Sequence, residues 1–243
     1  MTVTSPIQRT LTWLGQRELG LLLGIALIVA GAWIFIALAD EVVEGGTAQM
    51  DRTILLAMRH SQEPHDPIGG PVIEEAARDI TALGGTTVLC LFTLVTCGYL
   101  FLDGKAHMAA FVLASVVTGL IAGTVLKEFF KRPRPNLVPH AVYTVSTSFP
   151  SGHSMMAAVT YLTLGALLAR SERRKRVKAY FLIVAAFLSG AVGVTRVYLG
   201  VHWPTDVLAG WTAGAVWAIL CWTVARWLQG RHQIEEEISP PTG

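Results

Sequence analysis

The chain has 243 residues, of which 52% are hydrophobic and 15% are charged, whereas a soluble domain usually carries about 25% charged residues. This low share of charge indicates a membrane protein, and the formal net charge of +2 is too small to indicate binding to nucleic acid. The three cysteines, Cys90, Cys97 and Cys221, lie in apolar runs without a CxxC spacing or a histidine cluster. That pattern argues against a zinc site or a disulfide framework.

The first part of the chain predicts one membrane span after a short polar leader, residues 1–18. The apolar run 19–39 is long enough to cross a bilayer as a helix. Because the run is longer than the apolar part of an ordinary signal peptide, we interpret it as a retained span. Cleavage after the sequence Ala37-Leu38-Ala39 is the alternative.

Residues 40–80 form the longest polar segment and are rich in acidic side chains. Within it, Met50, Ile54, Leu55 and Met58 share one face of a predicted helix, which indicates a helix lying on the membrane surface or over the protein. Prolines and glycines between residues 64 and 71 then predict a loop.

Further apolar runs predict five more spans, at about 83–102, 108–126, 153–169, 179–194 and 207–228. The prediction is therefore an all-α, polytopic membrane protein with six transmembrane helices in one domain, residues 19–228, and a polar tail, residues 229–243. Gly119 and Gly123, and again Gly210 and Gly214, form GxxxG patterns that predict close packing between helices.

The distribution of charge predicts the orientation of these spans. Residues 170–178 carry six basic side chains and one acidic side chain between spans four and five, so this short loop belongs in the cytoplasm. Six spans then place the leader and the tail in the cytoplasm as well. The segments 40–80, 127–149 and 195–204 emerge together on the extracytoplasmic side.

Basic residues are unusual in short extracytoplasmic loops, yet this chain gathers several of them there. They are Lys127, Lys131, Arg132, Arg134 and Arg196. An anionic ligand would explain the cluster, because arginine offers phosphate a planar fork of donors and lysine a point charge. For Lys131 and Arg132, anchoring on lipid headgroups remains an equal alternative.

Two further patterns add chemistry to the same side. Pro150-Ser151-Gly152-His153 begins the fourth span, where free backbone N–H groups favour an anion. His202 and Asp206 are four residues apart with Pro204 between them, which puts Asp206 in the first turn of a helix. Its carboxylate is placed either to orient the histidine ring or to cap the helix, and both are compatible.

Together these residues resemble the phosphatidic acid phosphatase type 2 superfamily. The family pattern is a lysine followed after six residues by Arg-Pro, then Pro-Ser-Gly-His, then Ser-Arg with a histidine and an aspartate at fixed gaps. Lys127 with Arg134-Pro135 fits the first part, whereas Arg132-Pro133 does not because Val125 stands where its lysine would be. The other two parts match in full except that Thr195 replaces the serine.

The resemblance implies hydrolysis of a phosphomonoester or a diphosphate without a metal ion or a cofactor. His202 would attack phosphorus, Asp206 would orient His202, and His153 would protonate the leaving oxygen and later activate water. The implied phosphate-binding groups are Lys127, Arg134, Arg196, the Ser151 hydroxyl and the Gly152 N–H. The substrate would be a membrane lipid, such as a polyprenyl diphosphate, phosphatidylglycerol phosphate or phosphatidic acid, and the location a bacterial inner membrane.

Two other functions fit parts of the sequence. A lipid-to-lipid phosphotransferase would use the same residues with a different acceptor. An anion transporter would also gather cations, but transporters place charged groups near the middle of their spans, and spans three to six carry almost none. No sequence pattern indicates an oligomeric state.

Overall fold

The computed structural model describes residues 6–61, 63, 66–138 and 147–230, with side chains between residues 19 and 228. The regular structure of these residues is helical, as the sequence predicts. The helices are α1 (Pro6–Glu44), α2 (Ala48–Ala57), α3 (Gly70–Ala82), α4 (Thr86–Leu102), α5 (Ala106–Phe130), α6 (Gly152–Ser171), α7 (Lys175–Tyr198) and α8 (Pro204–Gly230). Residues 1–5 of the predicted leader, residues 139–146 of the predicted loop and residues 231–243 of the predicted tail lie outside the described part of the chain.

Five of the described helices are individually long and apolar enough to cross a membrane. They are α1 from Leu19, α5, α6, α7 and α8 to Leu228. Three of them, α5, α6 and α7, begin before and end after the apolar runs in the sequence. Thr195 and Arg196, for example, belong to the last turn of α7 rather than to the link that follows it.

The second predicted span differs from a straight helix. Helix α4 is 17 residues long, and it reaches a membrane-spanning length only together with α3, from which it is bent by 46°. Gly84 lies at this bend, and a Cβ there would come within 3.4 Å of both the backbone O and the Cβ of His153. Glycine therefore lets the bend pack directly against the first turn of α6.

Helix α6 lies at the centre of the bundle and packs mainly against α7 and α8, and also against α5. Small residues on its neighbours make this close approach possible. A Cβ at Gly210 would lie 2.7 Å from the carbonyl oxygen of Ser151, and one at Gly214 would lie 2.6 Å from that of Met155. The GxxxG pattern of α8 thus brings that helix against the backbone of α6.

The polar segments of the chain meet at one end of the bundle. Arg196 at the end of α7 donates to Thr81 in α3, and Arg132 after α5 contacts Asp51 in α2. Helix α2 buries Asp51 and Leu55 and leaves Met50 and Ile54 exposed. Helix α2 therefore packs on the rest of the protein through a face that is slightly rotated from the apolar face predicted from the sequence.

Gly210→Ala is expected to lower the free energy of unfolding in detergent by about 1–3 kcal/mol, because the new Cβ overpacks the contact between α6 and α8. The matched control is Gly190→Ala in α7, where, among the described residues and apart from its chain neighbours and the adjacent helix backbone, no atom lies within 4 Å of a built Cβ. Since alanine favours helix, the control should be at least as stable as the wild type. Equal losses in the two variants would contradict this account of the packing.

Candidate active site

The N-terminus of α6 forms the floor of the site. Ser151 is fully buried, and its hydroxyl oxygen accepts hydrogen bonds from the N–H and the hydroxyl of Ser154, at 3.4 and 2.9 Å. Its own N–H donates to the backbone oxygen of Asp206 at 2.9 Å, which joins the N-termini of α6 and α8. The first N–H groups of α6 have no intrahelical acceptor and favour an anion at this position.

Three cationic side chains from three elements surround this helix end. Lys127 lies in the last turn of α5, Arg134 in the segment after it, and Arg196 in the last turn of α7. All three lie within electrostatic range of His153, as does His202. The structure therefore gathers the predicted phosphate-binding cations around one histidine, at the start of α6.

Each cation is held in a specific way. The Lys127 ammonium donates to the backbone oxygen of Thr147 at 3.4 Å and packs against Gly152, where a Cβ would lie 3.3 Å from Nζ. Arg134 Nη1 donates to the backbone oxygen of Val201 at 2.6 Å. Arg196 is 3% exposed; its Nη1 donates to Thr81 Oγ1 at 3.1 Å, whereas its buried Nε has no hydrogen-bond partner among the described residues.

His202 lies in the tight turn between α7 and α8 and is 1% exposed. Its Nδ1 is 3.4 Å from Asp206 Oδ2, and its Nε2 is 3.1 Å from Arg134 Nη1. This geometry assigns the ring proton to Nδ1, facing the carboxylate, and leaves the lone pair of Nε2 facing the cations. Asp206 Oδ2 also accepts from the N–H of Trp203 at 2.8 Å, so Asp206 both contacts the ring and closes the turn.

The environment keeps the ring of His202 neutral. Burial lowers the pKa of His202 to about 4, because a charged imidazolium loses its hydration there. The hydrogen bond and the charge of Asp206 act in the opposite direction, and Arg134 and Arg196 lower the pKa further. Burial also lowers the pKa of the Arg134 guanidinium, and Asp206 partly compensates.

The structure adds residues that sequence reasoning missed. The Ser148 hydroxyl is fully buried, donates a short hydrogen bond to Asp206 Oδ2 and lies 3.3 Å from His202 Nδ1. Arg132 turns inward to Asp206 and Asp51 instead of outward to lipid. Two signals in the sequence point to these residues. Ser148 lies two residues before Pro150, where the Pro-Ser-Gly-His pattern begins. Asp51 lies four residues before Leu55 and therefore shares the helical face that Leu55 buries.

No three or more His, Cys, Asp or Glu side chains in the described ranges are grouped so as to hold a metal ion. The charges around His202 and His153 instead suit an anion with several oxygens, because cations and helix N–H groups converge on the two rings.

Comparison with known proteins agrees with this geometry. The family model of the PAP2 superfamily matches residues 108–229, which hold every predicted site residue. The chain belongs to the PAP2 superfamily. Its PAP2 region includes α5 to α8, whereas α1 to α4 precede it.

Two relatives of this PAP2 chain are named as phosphatases. Phosphatidylglycerophosphatase B of Bacillus subtilis is 36% identical over 149 residues, which are 59% of this chain and 71% of the relative. The undecaprenyl-diphosphatase of Sulfolobus acidocaldarius is 30% identical over 109 residues, which are 43% of this chain and 48% of the relative.

A solved structure shows the same fold. It is the crystal structure of a transmembrane PAP2-type phosphatidylglycerolphosphate phosphatase from Bacillus subtilis, with a TM-score of 0.72 and 28% identity over 83% of this chain and 96% of that chain. The PAP2 chain is therefore a multi-pass membrane enzyme that hydrolyses phosphoric esters. The predicted family and fold class are confirmed.

The lowered pKa of His202 predicts how stability depends on pH. Unfolded histidine binds a proton near pH 6.5 and folded His202 only near pH 4, so stability is full above pH 6.5 and falls as the pH drops. The contribution of His202 to this loss is on the order of 3 kcal/mol. We expect His202→Asn to show a shallower fall than the wild type when unfolding in detergent is measured from pH 7 to pH 4.

His60→Asn removes an exposed histidine and is the matched control. It should keep the steep fall of the wild type. If the stability of His202→Asn fell as steeply with decreasing pH as that of this control, His202 would not be the group that resists protonation.

Proposed function

We propose that this PAP2 protein hydrolyses a lipid phosphate or diphosphate without a metal ion, through a phosphohistidine formed on His202. The observation that carries the proposal is the position of His202 Nε2. Its lone pair faces Arg134 in a site where Lys127 and Arg196 also converge on His153. A neutral nucleophile is thus paired with groups that neutralise a phosphoryl anion.

The three cations and the start of α6 would bind the phosphoryl oxygens. Arg134 and Arg196 present guanidinium donors, and the buried Nε of Arg196 gains a partner when an oxygen binds there. Lys127 supplies a third charge, and the Ser151 hydroxyl and the Gly152 N–H supply uncharged donors. Phosphoryl transfer depends mainly on such positioning and on neutralising charge that spreads over the phosphoryl oxygens.

In the first step, His202 Nε2 attacks phosphorus and the bond from phosphorus to the lipid oxygen breaks. His153 gives a proton to the departing oxygen, which leaves as the lipid alcohol or, from a diphosphate, as the lipid monophosphate. The ring of His202 becomes positive when its Nε2 bonds to phosphorus. Asp206, hydrogen-bonded to Nδ1–H, stabilises this charge.

In the second step, a water molecule attacks the phosphohistidine. His153, now neutral, takes a proton from the water, the bond from phosphorus to Nε2 breaks, and inorganic phosphate is released. The ring of His202 returns to its neutral form with the proton on Nδ1. His153 therefore serves as acid and then as base, with no net consumption of protons by the protein.

The surroundings of the site favour a lipid as the substrate. Phe129 lies in the same last turn of α5 as Lys127 and is 78% exposed. Val194, two residues before Arg196, is 49% exposed, and Leu208, two residues after Asp206, is 43% exposed. The outer surface of the helix bundle is thus apolar at about the same level along the helices as the site. A phosphate with an apolar tail would approach from the side, within the membrane. The phosphatidylglycerophosphatase and undecaprenyl-diphosphatase relatives support the same class of substrate.

His202→Ala is expected to lower phosphate release from a panel of lipid phosphates in detergent by at least on the order of 10⁴-fold. The panel contains phosphatidic acid, phosphatidylglycerol phosphate and a polyprenyl diphosphate. Wild-type activity should survive EDTA and be lost with vanadate, which mimics the phosphoryl group. His60→Ala, at an exposed histidine remote in sequence from the motifs, is the control with wild-type activity.

Near-normal phosphate release by His202→Ala would refute the nucleophile assignment. Phosphate that appears on a second lipid rather than in solution would instead make the protein a lipid phosphotransferase.

We further propose that the site faces the extracytoplasmic side, with both termini in the cytoplasm. The basic segment 170–178 joins α6 to α7 at the end of the bundle opposite the site. Short loops with this many basic residues stay in the cytoplasm.

A labelling experiment tests this orientation in a background that lacks Cys90, Cys97 and Cys221. Cysteine introduced at Glu75 should react with an impermeant maleimide in intact cells. Cysteine introduced at Glu172 should react only after permeabilisation. The reverse pattern would place the site in the cytoplasm.

A further inference from the structure

A buried network of charges lies behind Asp206, on the side away from His202. Arg132 Nη1 donates to Asp206 Oδ1 at 2.6 Å, and Arg132 Nη2 donates to Asp51 Oδ2 at 2.8 Å. Both carboxylates are fully buried, and the Arg132 side chain is 15% exposed. One guanidinium thus bridges two carboxylates.

Thr205 closes the network between the two acids. Its N–H donates to Asp51 Oδ1 at 2.9 Å and its hydroxyl donates to Asp51 Oδ2 at 2.6 Å. The same hydroxyl accepts from Arg132 Nη1 at 2.8 Å. Asp51 therefore holds both Arg132 and the backbone of the first turn of α8, which carries Asp206.

The two oxygens of Asp206 have separate partners as a result. Oδ1 binds Arg132, whereas Oδ2 faces the His202 ring, the Ser148 hydroxyl and the Trp203 N–H. Arg132 also places Ser148, because the Ser148 N–H donates to the Arg132 backbone oxygen at 2.8 Å. The orientation of Oδ2 toward the ring thus depends on the anchoring of Oδ1.

We infer that Arg132 and Asp51 are positioning residues for the reaction: Arg132 holds Asp206 ionised and turned toward His202, and Asp51 holds Arg132. This inference rests on the proposed function, since it assigns a purpose to the orientation of His202. Asp51 lies outside residues 108–229, the part matched by the family model. Helix α2 thus contributes Asp51, which the sequence did not predict, to a site whose predicted residues all lie within that part.

The charges explain why the bridge matters. Without the guanidinium, two buried carboxylates would face each other, and such a pair takes up a proton readily. A protonated Asp206 would no longer stabilise the positive ring that forms when His202 attacks phosphorus. Replacement of Arg132 should therefore lower kcat most strongly at low pH.

Several charged groups face Asp206 and set its protonation. They are Asp51 on α2, Lys127 on α5, Arg132 and Arg134 after α5, and His202 before α8.

The test is the pH dependence of kcat for phosphate release by Arg132→Gln, Arg132→Lys and Asp51→Asn. In Arg132→Gln we expect kcat near neutral pH to fall roughly 10- to 100-fold, as for other groups that orient a reacting side chain. The acid limb of its profile should move to higher pH by about one unit. Arg132→Lys keeps the charge without the fork, so it should recover part of kcat and leave the acid limb near that of the wild type.

The double variant Arg132→Gln with Asp51→Asn separates the effect of charge on the acid limb from the effect of packing on kcat. It removes the negative charge that faces Asp206, so the acid limb should return toward the wild-type position although kcat stays low. Because stability also falls below pH 6.5, the folded fraction of each variant is measured at each pH and kcat is expressed per folded enzyme, which separates the acid limb from acid unfolding.

Lys131→Asn is the matched control. Lys131 is the exposed member of the cationic cluster that the sequence indicates, and it does not act on His153 as Lys127, Arg134 and Arg196 do. It has a positive φ of 47°, a conformation that asparagine tolerates. This variant removes the neighbouring positive charge and should keep the wild-type kcat and acid limb.

An acid limb in Arg132→Gln that coincides with that of the wild type would overturn the inference. So would equal losses of kcat in Arg132→Gln and Arg132→Lys with unmoved limbs, since these would indicate a purely structural role. Failure of the proposed function is distinguishable, because His202→Ala would then retain phosphate release whatever the Arg132 variants do.

Discussion

The buried carboxylate of Asp206 is the interaction on which the rest of the site depends. A carboxylate without water is stable only if donors and cations replace its hydration. Here its four partners come from two segments of the chain: the Arg132 guanidinium and the Ser148 hydroxyl between α5 and α6, and the His202 ring and the Trp203 N–H between α7 and α8. Satisfying this one charge therefore brings the α5–α6 segment against the α7–α8 turn.

The same burial gives the two nitrogens of the His202 ring different electrostatic surroundings. His202 is desolvated enough to remain neutral, so its lone pair stays available for the nucleophilic role that we propose for it. The positive charges lie on the opposite side of the ring from Asp206, where Arg134 approaches Nε2. One ring nitrogen thus faces negative charge and the other faces positive charge, which would define the direction of attack in the proposed mechanism.

The packing of α6 makes this arrangement rigid. Its N-terminus touches α8 through Ser151 and Asp206, α5 through Gly152 and Lys127, and the bend between α3 and α4 through His153 and Gly84. Gly210, in the GxxxG pattern of α8, permits the first of these contacts, and Gly152 and Gly84 permit the other two, since close helix approach needs side chains without bulk. Helix packing and the geometry of the candidate site therefore depend on the same small residues.

The class of fold and the predicted site residues were accessible from the sequence, because the length of an apolar run and the spacing of a motif are local properties of the chain. The bend in the second span and the inward turn of Arg132 were not. The Arg132–Asp206 ion pair joins residues 74 positions apart, and the hydrogen bond from Thr205 to Asp51 joins residues 154 positions apart. No local pattern reports such pairings, because they arise when packed helices leave a buried charge that must find its partner across the fold.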